Sequence, residues 1–201
     1  MRRQWSDPGA PMSRAAFLIA VLAGFGLLVG CQRGLPLEPA EREMLLRAGD
    51  LVAHGYGFED PAPYEKFDKT RYLDGSSEIA YEFETPDGEV DQPLYLNVTL
   101  TFEKNFADAM VSYGSTKTAM KYGLKATGIR VREIEGFYPY GDASEFSVLE
   151  KDGQPVGNLF ATRHGNRIYL LVMSGMYFDD AEVWEELMKP RLEKFSASVK
   201  K

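Results

Sequence analysis

The sequence contains one cysteine and two histidines among its 201 residues. A single cysteine excludes an intramolecular disulfide and any zinc site that needs several cysteines. Basic residues are also few, because 23 Lys and Arg face 30 Asp and Glu, which gives a formal net charge of −7. This deficit counts against a nucleic-acid-binding protein, since such proteins use Lys and Arg to replace the counterions of phosphates. A chain of this length is expected to form a single domain.

The chain also lacks an apolar run of the roughly 20 residues that a membrane-spanning helix needs. The longest run, residues 15–28, has 14 residues and no charge. This is the length of a signal-peptide core, and Arg14 supplies the positive charge that precedes such a core. Met12 would begin a shorter and more ordinary signal, so translation of residues 1–11 is left open.

The apolar run ends in Leu28-Val29-Gly30-Cys31, which resembles the lipobox of bacterial lipoproteins. The resemblance implies diacylglyceryl transfer to the Cys31 sulfur, cleavage between Gly30 and Cys31, and N-acylation, for example with palmitate. The alternative is a chance cysteine after an ordinary secretory signal. Lipoproteins that stay in the inner membrane typically carry Asp after the lipidated cysteine. The Gln32 of this chain therefore favours the outer membrane, with the protein facing the periplasm.

The sequence thus predicts three parts: a lipoprotein signal peptide at residues 1–30, a lipidated tether at residues 31–37, and one globular domain at residues 38–201. The six residues after Cys31, residues 32–37, reach about 20 Å at full stretch, so the domain is expected close to the bilayer. Residues 31–201 contain 20 Lys and Arg against 29 Asp and Glu, so the expected mature protein is acidic.

Hydrophobic periodicity predicts an α+β domain, in which an antiparallel sheet is flanked by helices in the order α-β-β-α-β-β-β-β-α. The helices are expected at residues 38–54, 105–127 and 179–196. The strands are expected at residues 78–84, 94–102, 129–134, 145–151, 156–163 and 167–175. Residues 58–77 carry no clear pattern and are expected to be irregular. The strand at 167–175 is apolar on both faces, which predicts a central strand that is covered on both sides.

Two segments carry a family resemblance: Asn158-Leu159-Phe160-Ala161 and the run from Gly165 to Ser174, followed by an acidic helix that ends near Phe195. They resemble the PsbP/Mog1-like group, whose fold is an α/β/α sandwich and which includes small bacterial lipoproteins. The resemblance extends over residues 78–199 in the order of elements. It implies an accessory or scaffolding role, because such families share no catalytic site.

A basic stripe is the first candidate for a binding surface. Lys117, Lys121 and Lys125 are four residues apart on the predicted helix, and Arg130 and Arg132 follow closely. One interpretation is the solvent-exposed face of an amphipathic helix. The other is contact with anionic headgroups or with an acidic envelope protein.

The second candidate is an aromatic loop formed by Phe137, Tyr138 and Tyr140. Aromatic side chains are favoured at binding surfaces, although these rings could equally fold back onto the sheet. The acids Glu84, Asp87, Glu89 and Asp91 alternate along a loop as metal ligands do. They lack, however, the glycine and glutamate spacing of a calcium loop. A solvated acidic loop is therefore expected.

No catalytic residue, metal site or cofactor is predicted. Neither His54 nor His164 accompanies the G-x-S-x-G motif that would expose a nucleophilic serine. The expected function is a lipid-anchored, non-enzymatic accessory or binding protein of the bacterial cell envelope. Its expected partners are the membrane, through Cys31, and an envelope protein, with no nucleic acid. The alternative is an envelope enzyme that uses carboxylates and tyrosines.

Overall fold

The computed structural model describes residues 31–56, 58, 60–86 and 93–198. The helices of these residues are α1 Pro39–Arg42, α2 Ala48–Ala53, α3 Phe106–Ala126 and α4 Ala181–Ala197, with a 3₁₀ turn at Ala62–Tyr64. The strands are β1 Cys31–Gln32, β2 Lys66–Tyr72, β3 Ser77–Glu84, β4 Tyr95–Phe102, β5 Arg130–Glu133, β6 Ala143–Lys151, β7 Gln154–His164 and β8 Arg167–Ser174.

The strands form one open sheet in the order β1-β2-β3-β4-β8-β7-β6-β5, and every neighbouring pair is antiparallel. The predicted α+β class with an antiparallel sheet and packed helices is confirmed. The prediction that the strand at 167–175 is central is confirmed too, because β8 lies between β4 and β7 and residues 168–173 are buried.

The segment 58–77, which was expected to be irregular, contains strand β2. Only Thr70 of this strand is buried, and charged side chains occupy both of its faces. β2 therefore has none of the alternation between apolar and polar residues that reveals a half-buried strand. Residues 66–71 of β2 pair with β3, so the strand is defined by its backbone pairing and not by the pattern of its side chains.

The single helix expected from residue 38 is two short helices, α1 and α2, joined by the buried residues Met44, Leu45 and Leu46. Two tyrosines of the sheet explain the interruption. The Leu46 N–H donates to the Tyr169 hydroxyl at 3.1 Å, and the Ala48 N–H donates to the Tyr81 hydroxyl at 2.8 Å. Because these hydroxyls satisfy backbone groups that a continuous helix would pair internally, the chain can leave the helix and insert its apolar run into the core.

The larger core lies on the first face of the sheet, where α2 and α4 cover it. Its centre is Trp184 of α4, which contacts the rings of Phe146 and Phe160 edge-on at centroid distances of 4.9 and 5.5 Å. Asp180 caps α4 by accepting hydrogen bonds from the N–H groups of Glu182 and Val183, so the cap lies one residue after the expected start at residue 179.

The second face carries a smaller core under α3. Tyr113, Met120 and Leu124 of this helix pack with Leu159 and Leu170 of the sheet. Asn105 caps α3, since its side chain accepts a hydrogen bond from the Asp108 N–H at 2.9 Å. The helix packs mainly against β5, β7 and β8.

Candidate functional site

Cys31, the predicted lipidation residue, lies at the edge of the sheet. It pairs with Tyr72, and Gln32 pairs with Arg71, so β1 is a short edge strand beside β2. The contact continues beyond the strand, because the Gly34 N–H donates to Asp68 at 3.2 Å and the Leu35 N–H donates to the Lys69 carbonyl at 3.2 Å. Residues 31–37 therefore differ from the free tether expected: they lie along the domain.

The strand register places Cys31 at one end of the sheet, which we call the anchor end. Tyr72 ends β2, Ser77 begins β3 and pairs with Phe102 at the end of β4, and Phe102 pairs with Arg167 at the start of β8. The predicted signal peptide, residues 1–30, lies outside the described residues.

The predicted basic stripe surrounds a buried carboxylate. Lys117 and Lys121 of α3 form ion pairs of 2.9 and 2.6 Å with Glu145 of β6, whose side chain is only 4% exposed. Lys121 also reaches Glu133 at 3.3 Å. Burial alone would raise the pKa of Glu145, but the hydrogen bonds and charges of the two lysines outweigh burial and hold this pKa below its usual value.

Tyr113 belongs to the same cluster, with the Lys117 ammonium 5.3 Å from the centre of its ring. Burial, with the negative charge of Glu145 as the next contribution, raises the pKa of Tyr113 to about 12. The two lysines thus stabilise the contact between α3 and the sheet. This role differs from both interpretations made from the sequence, which were a solvent-exposed helix face and a contact with a partner.

The other basic residues differ among themselves. Arg132 pairs with Glu150 at 2.5 Å, and Arg130 approaches the same carboxylate at 3.8 Å. Lys125 is exposed and pairs with none of the described carboxylates. The stripe is therefore mostly neutralised by acids of β5 and β6, and only its Lys125 end presents a positive charge to solvent.

The rings of the predicted aromatic loop fold back onto the domain. Phe137 stacks on Phe146 at a centroid distance of 3.9 Å, and Tyr138 contacts Phe160 at 6.2 Å. The Tyr140 hydroxyl donates to the Leu192 carbonyl of α4 at 2.7 Å. These half-buried rings close the gap between the sheet and α4, which is the second of the two alternatives considered from sequence.

A polar face, which sequence reasoning did not single out, occupies the second face of β2, β3 and β4. Its members share one side of the sheet by register and are mostly acidic or hydroxylic. They are Lys66, Asp68, Thr70, Glu78, Glu82, Glu84, Asn97, Thr99 and Thr101. The signal that could have found this face is the alternation of Glu78, Glu82 and Glu84 with buried apolar residues on β3.

Glu78 is the chemically distinctive residue of the polar face. Burial raises its pKa from the usual 4.5 to about 7, and the nearby carboxylate of Asp68 adds to this effect, while Arg33 opposes it. A carboxyl group with such a pKa exchanges its proton near neutral pH, as a general acid or base does. His54 caps the end of α2 and His164 ends β7, so neither histidine belongs to the polar face.

Other predicted features lie partly outside the described residues. In the acidic loop, Glu84 ends β3, whereas Asp87, Glu89 and Asp91 are not described. Within the residues that are described, no three His, Cys, Asp or Glu side chains gather as a metal ion would require. The described helices include none that is both long and apolar enough to cross a membrane.

Comparison with known proteins found no matching family model, no matching curated protein and no matching solved structure.

Proposed function

We propose that this protein is a lipid-anchored, non-enzymatic accessory or binding protein of the bacterial cell envelope. The proposal depends above all on Cys31, which follows a signal-like apolar run and a small residue and is the only cysteine of the chain. Its place on the edge strand β1 supports the proposal, because a mature chain that begins at Cys31 would begin at the periphery of the sheet.

Lipid chains on Cys31 would hold the protein at a membrane surface without a spanning helix. Each buried methylene contributes about 0.8 kcal/mol, so one acyl chain binds marginally, whereas two or more bind firmly. Gln32 after the cysteine supports placement in the outer membrane. A PsbP/Mog1-like identity of the domain is part of the proposal, and the antiparallel sheet with helices on both faces is compatible with it.

The accessory role is supported by the contacts that the basic stripe and the aromatic loop make within the domain. The lysines of the basic stripe neutralise Glu145, and the rings of the aromatic loop pack on the sheet. The contact with an envelope partner that we propose for this region therefore involves its exposed end at Lys125, beside which the exposed Arg130 and Arg132 share Glu150.

The test of anchoring is a comparison of Cys31→Ser with Gln32→Ser in the full chain. We expect Cys31→Ser to lose palmitate labelling and to leave the membrane pellet, because the sulfur that accepts diacylglycerol is gone. Gln32→Ser is the matched control, and we expect it to be labelled and sedimented like the wild type. Unchanged labelling of Cys31→Ser would refute the proposal.

The pKa of Glu78 favours a second candidate, an envelope enzyme in which this carboxyl transfers protons. This candidate predicts hydrolysis of a chromogenic ester or glycoside, with a rate that follows an ionisation near the value of about 7. Glu78→Gln should abolish such a rate, and Glu82→Gln on the same strand should keep it. A rate that survives Glu78→Gln would remove this candidate.

A further inference from the structure

The anchor end of the sheet combines the lipidation residue with exposed apolar side chains. Leu73 directly follows Tyr72, the backbone partner of Cys31, and is 84% exposed. Paired strand residues lie about 5.5 Å apart and consecutive residues 3.8 Å apart, so the Leu73 Cα is within about 10 Å of the Cys31 Cα. Any lipid attached to Cys31 therefore brings Leu73 to the membrane surface.

Leu73 is presented by an ordered turn. The Tyr72 N–H donates to the Ser76 carbonyl at 3.0 Å, and the Gly75 N–H donates to the Tyr72 carbonyl at 3.1 Å. Asp74 accepts hydrogen bonds from the backbone and the hydroxyl of Ser76 at 3.0 and 2.7 Å. Because these bonds define the turn, the exposure of Leu73 is a property of the folded domain.

The start of α3 adds a second apolar group at the same end. Phe106 and Met110, one helical turn apart, are both more than half exposed. The segment before the helix is held to the neighbouring turn, since the Glu103 N–H donates to the Asn166 carbonyl at 2.8 Å. This group lies near the end of β4, three strand spacings, or about 14 Å, across the sheet from β1.

Positive charges accompany these apolar residues. Arg33 follows β1 and Arg71 lies on β2 beside Gln32, and both are exposed. Lys104 precedes α3 and is exposed too, although its ammonium pairs with Asp108 at 3.2 Å. Apolar side chains bordered by Arg and Lys are typical of protein segments that enter the interface of a bilayer to a depth of 5–10 Å. Basic side chains near anionic lipids strengthen such binding.

We propose that the anchor end, formed by the turn at Leu73 and the start of α3 at Phe106, inserts into the headgroup region of the bilayer. The strands then extend away from the membrane surface, and the domain has one fixed orientation relative to the bilayer. This inference rests on the proposed lipidation of Cys31, because the lipid determines which end of the sheet meets the bilayer.

The test uses cysteine labels in the full lipidated chain, in which Cys31 is blocked by lipid. Leu73→Cys and Phe106→Cys are labelled with a small environment-sensitive fluorophore in vesicles of phosphatidylethanolamine and phosphatidylglycerol that contain nitroxide-labelled lipid. Tyr122→Cys is the matched control, because Tyr122 is 70% exposed and lies sixteen residues, or about 24 Å, along α3 from Phe106. Palmitate labelling of each variant establishes whether Cys31 carries lipid.

We expect labels at positions 73 and 106 to lose about half of their fluorescence to the nitroxide lipids, because they lie at headgroup depth. The label at position 122 should lose little. Equal quenching at all three positions, or none at any, in protein that carries palmitate would overturn the proposed orientation and leave the proposed anchoring intact. Protein without palmitate would overturn both. Shielding of position 73 that persists in detergent would indicate a contact with a second copy, and it would also overturn the assignment to the bilayer.

Discussion

At the scale of single residues, the contact between α3 and the sheet depends on a buried charge cluster. Glu145 has almost no exposure to solvent, and Lys117 and Lys121 supply its only ion pairs among the described residues. Removing one partner of a buried pair costs far more than removing an exposed pair, because the remaining charge stays desolvated. Of the three lysines in the basic stripe, Lys117 and Lys121 are therefore structural, and Lys125 is exposed.

The first prediction compares charge reversals along this stripe. We expect Lys121→Glu to lower the free energy of unfolding by about 3 kcal/mol, because it removes a partner of Glu145 and adds a like charge. Lys125→Glu, one helical turn away, should change it by less than about 0.5 kcal/mol. Urea unfolding of both variants measures the difference, and equal stabilities would contradict the described role of Glu145.

The second prediction concerns Glu78 and pH. The folded pKa of about 7 lies above the usual 4.5, so the folded state binds more protons than the unfolded state between these values. Stability should therefore fall as the pH rises from about 4.5 to about 7 and stay low above it. We expect Glu78→Gln to remove this loss. Its free energy of unfolding should exceed that of the wild type by about 2 kcal/mol at pH 8, but not at pH 4.

The control for Glu78 is Glu82→Gln, which lies on the same face of β3 and forms a surface ion pair of 2.9 Å with Lys66. This variant should lose at most about 1 kcal/mol at pH 8, because exposed pairs contribute little. If Glu78→Gln were as stable as the wild type at both pH values, the raised pKa of Glu78 would be refuted.

At the scale of elements, hydrophobic periodicity predicts the part of the fold in which side chains decide the structure. The strands β3, β4 and β8 and the helix α3 alternate or repeat clearly, and their predicted positions agree closely with the observed bounds. β2 could not be found in this way, because charged residues lie on both of its faces, as is common in strands near a sheet edge. Backbone pairing with β3 defines it instead.

For the candidate sites too, the sequence predicts what depends on one element and misses what depends on contacts between elements. The spacing of Lys117 and Lys121 predicts that they share a helix face, but periodicity within α3 carries no information about which strand lies beneath it. Glu145 is therefore found only in the folded structure. The break between α1 and α2 has the same origin, since the tyrosine hydroxyls that permit it belong to β3 and β8.

The third prediction tests how the sheet positions α4. Asn158 of β7 is fully buried, accepts a hydrogen bond from the Phe178 N–H at 2.7 Å and donates one to the Phe178 carbonyl at 3.0 Å. Asn158→Ala leaves both backbone groups unsatisfied, so we expect a loss of about 3 kcal/mol in the free energy of unfolding. Asp180→Ala removes only the cap of α4 and should cost about 1 kcal/mol. Thermal unfolding of the two variants measures these losses, and a larger loss for Asp180→Ala than for Asn158→Ala would contradict the described role of Asn158.

At the scale of the whole molecule, the protein contains an acidic domain that we propose to be attached to a membrane at one end of its sheet. Residues 31–201 carry 20 basic and 29 acidic residues, and the acids of the polar face line β2 and β3 on the second face of the sheet. Attachment at the anchor end would leave Lys125, Arg130 and Arg132 accessible to an envelope partner. Backbone pairing and the Gly34–Asp68 hydrogen bond hold this end of the chain to β2, so a lipid on Cys31 would be fixed relative to the sheet.

The mass of the N-terminal peptide of the mature protein decides whether Cys31 carries the lipid anchor that we propose. We predict a chain that begins at Cys31 and carries a diacylglyceryl group on sulfur and an acyl group on nitrogen, with no peptide from residues 1–30. A peptide in which the Cys31 thiol reacts with an alkylating reagent, or one that continues through Gly30 into Cys31, would contradict the claim.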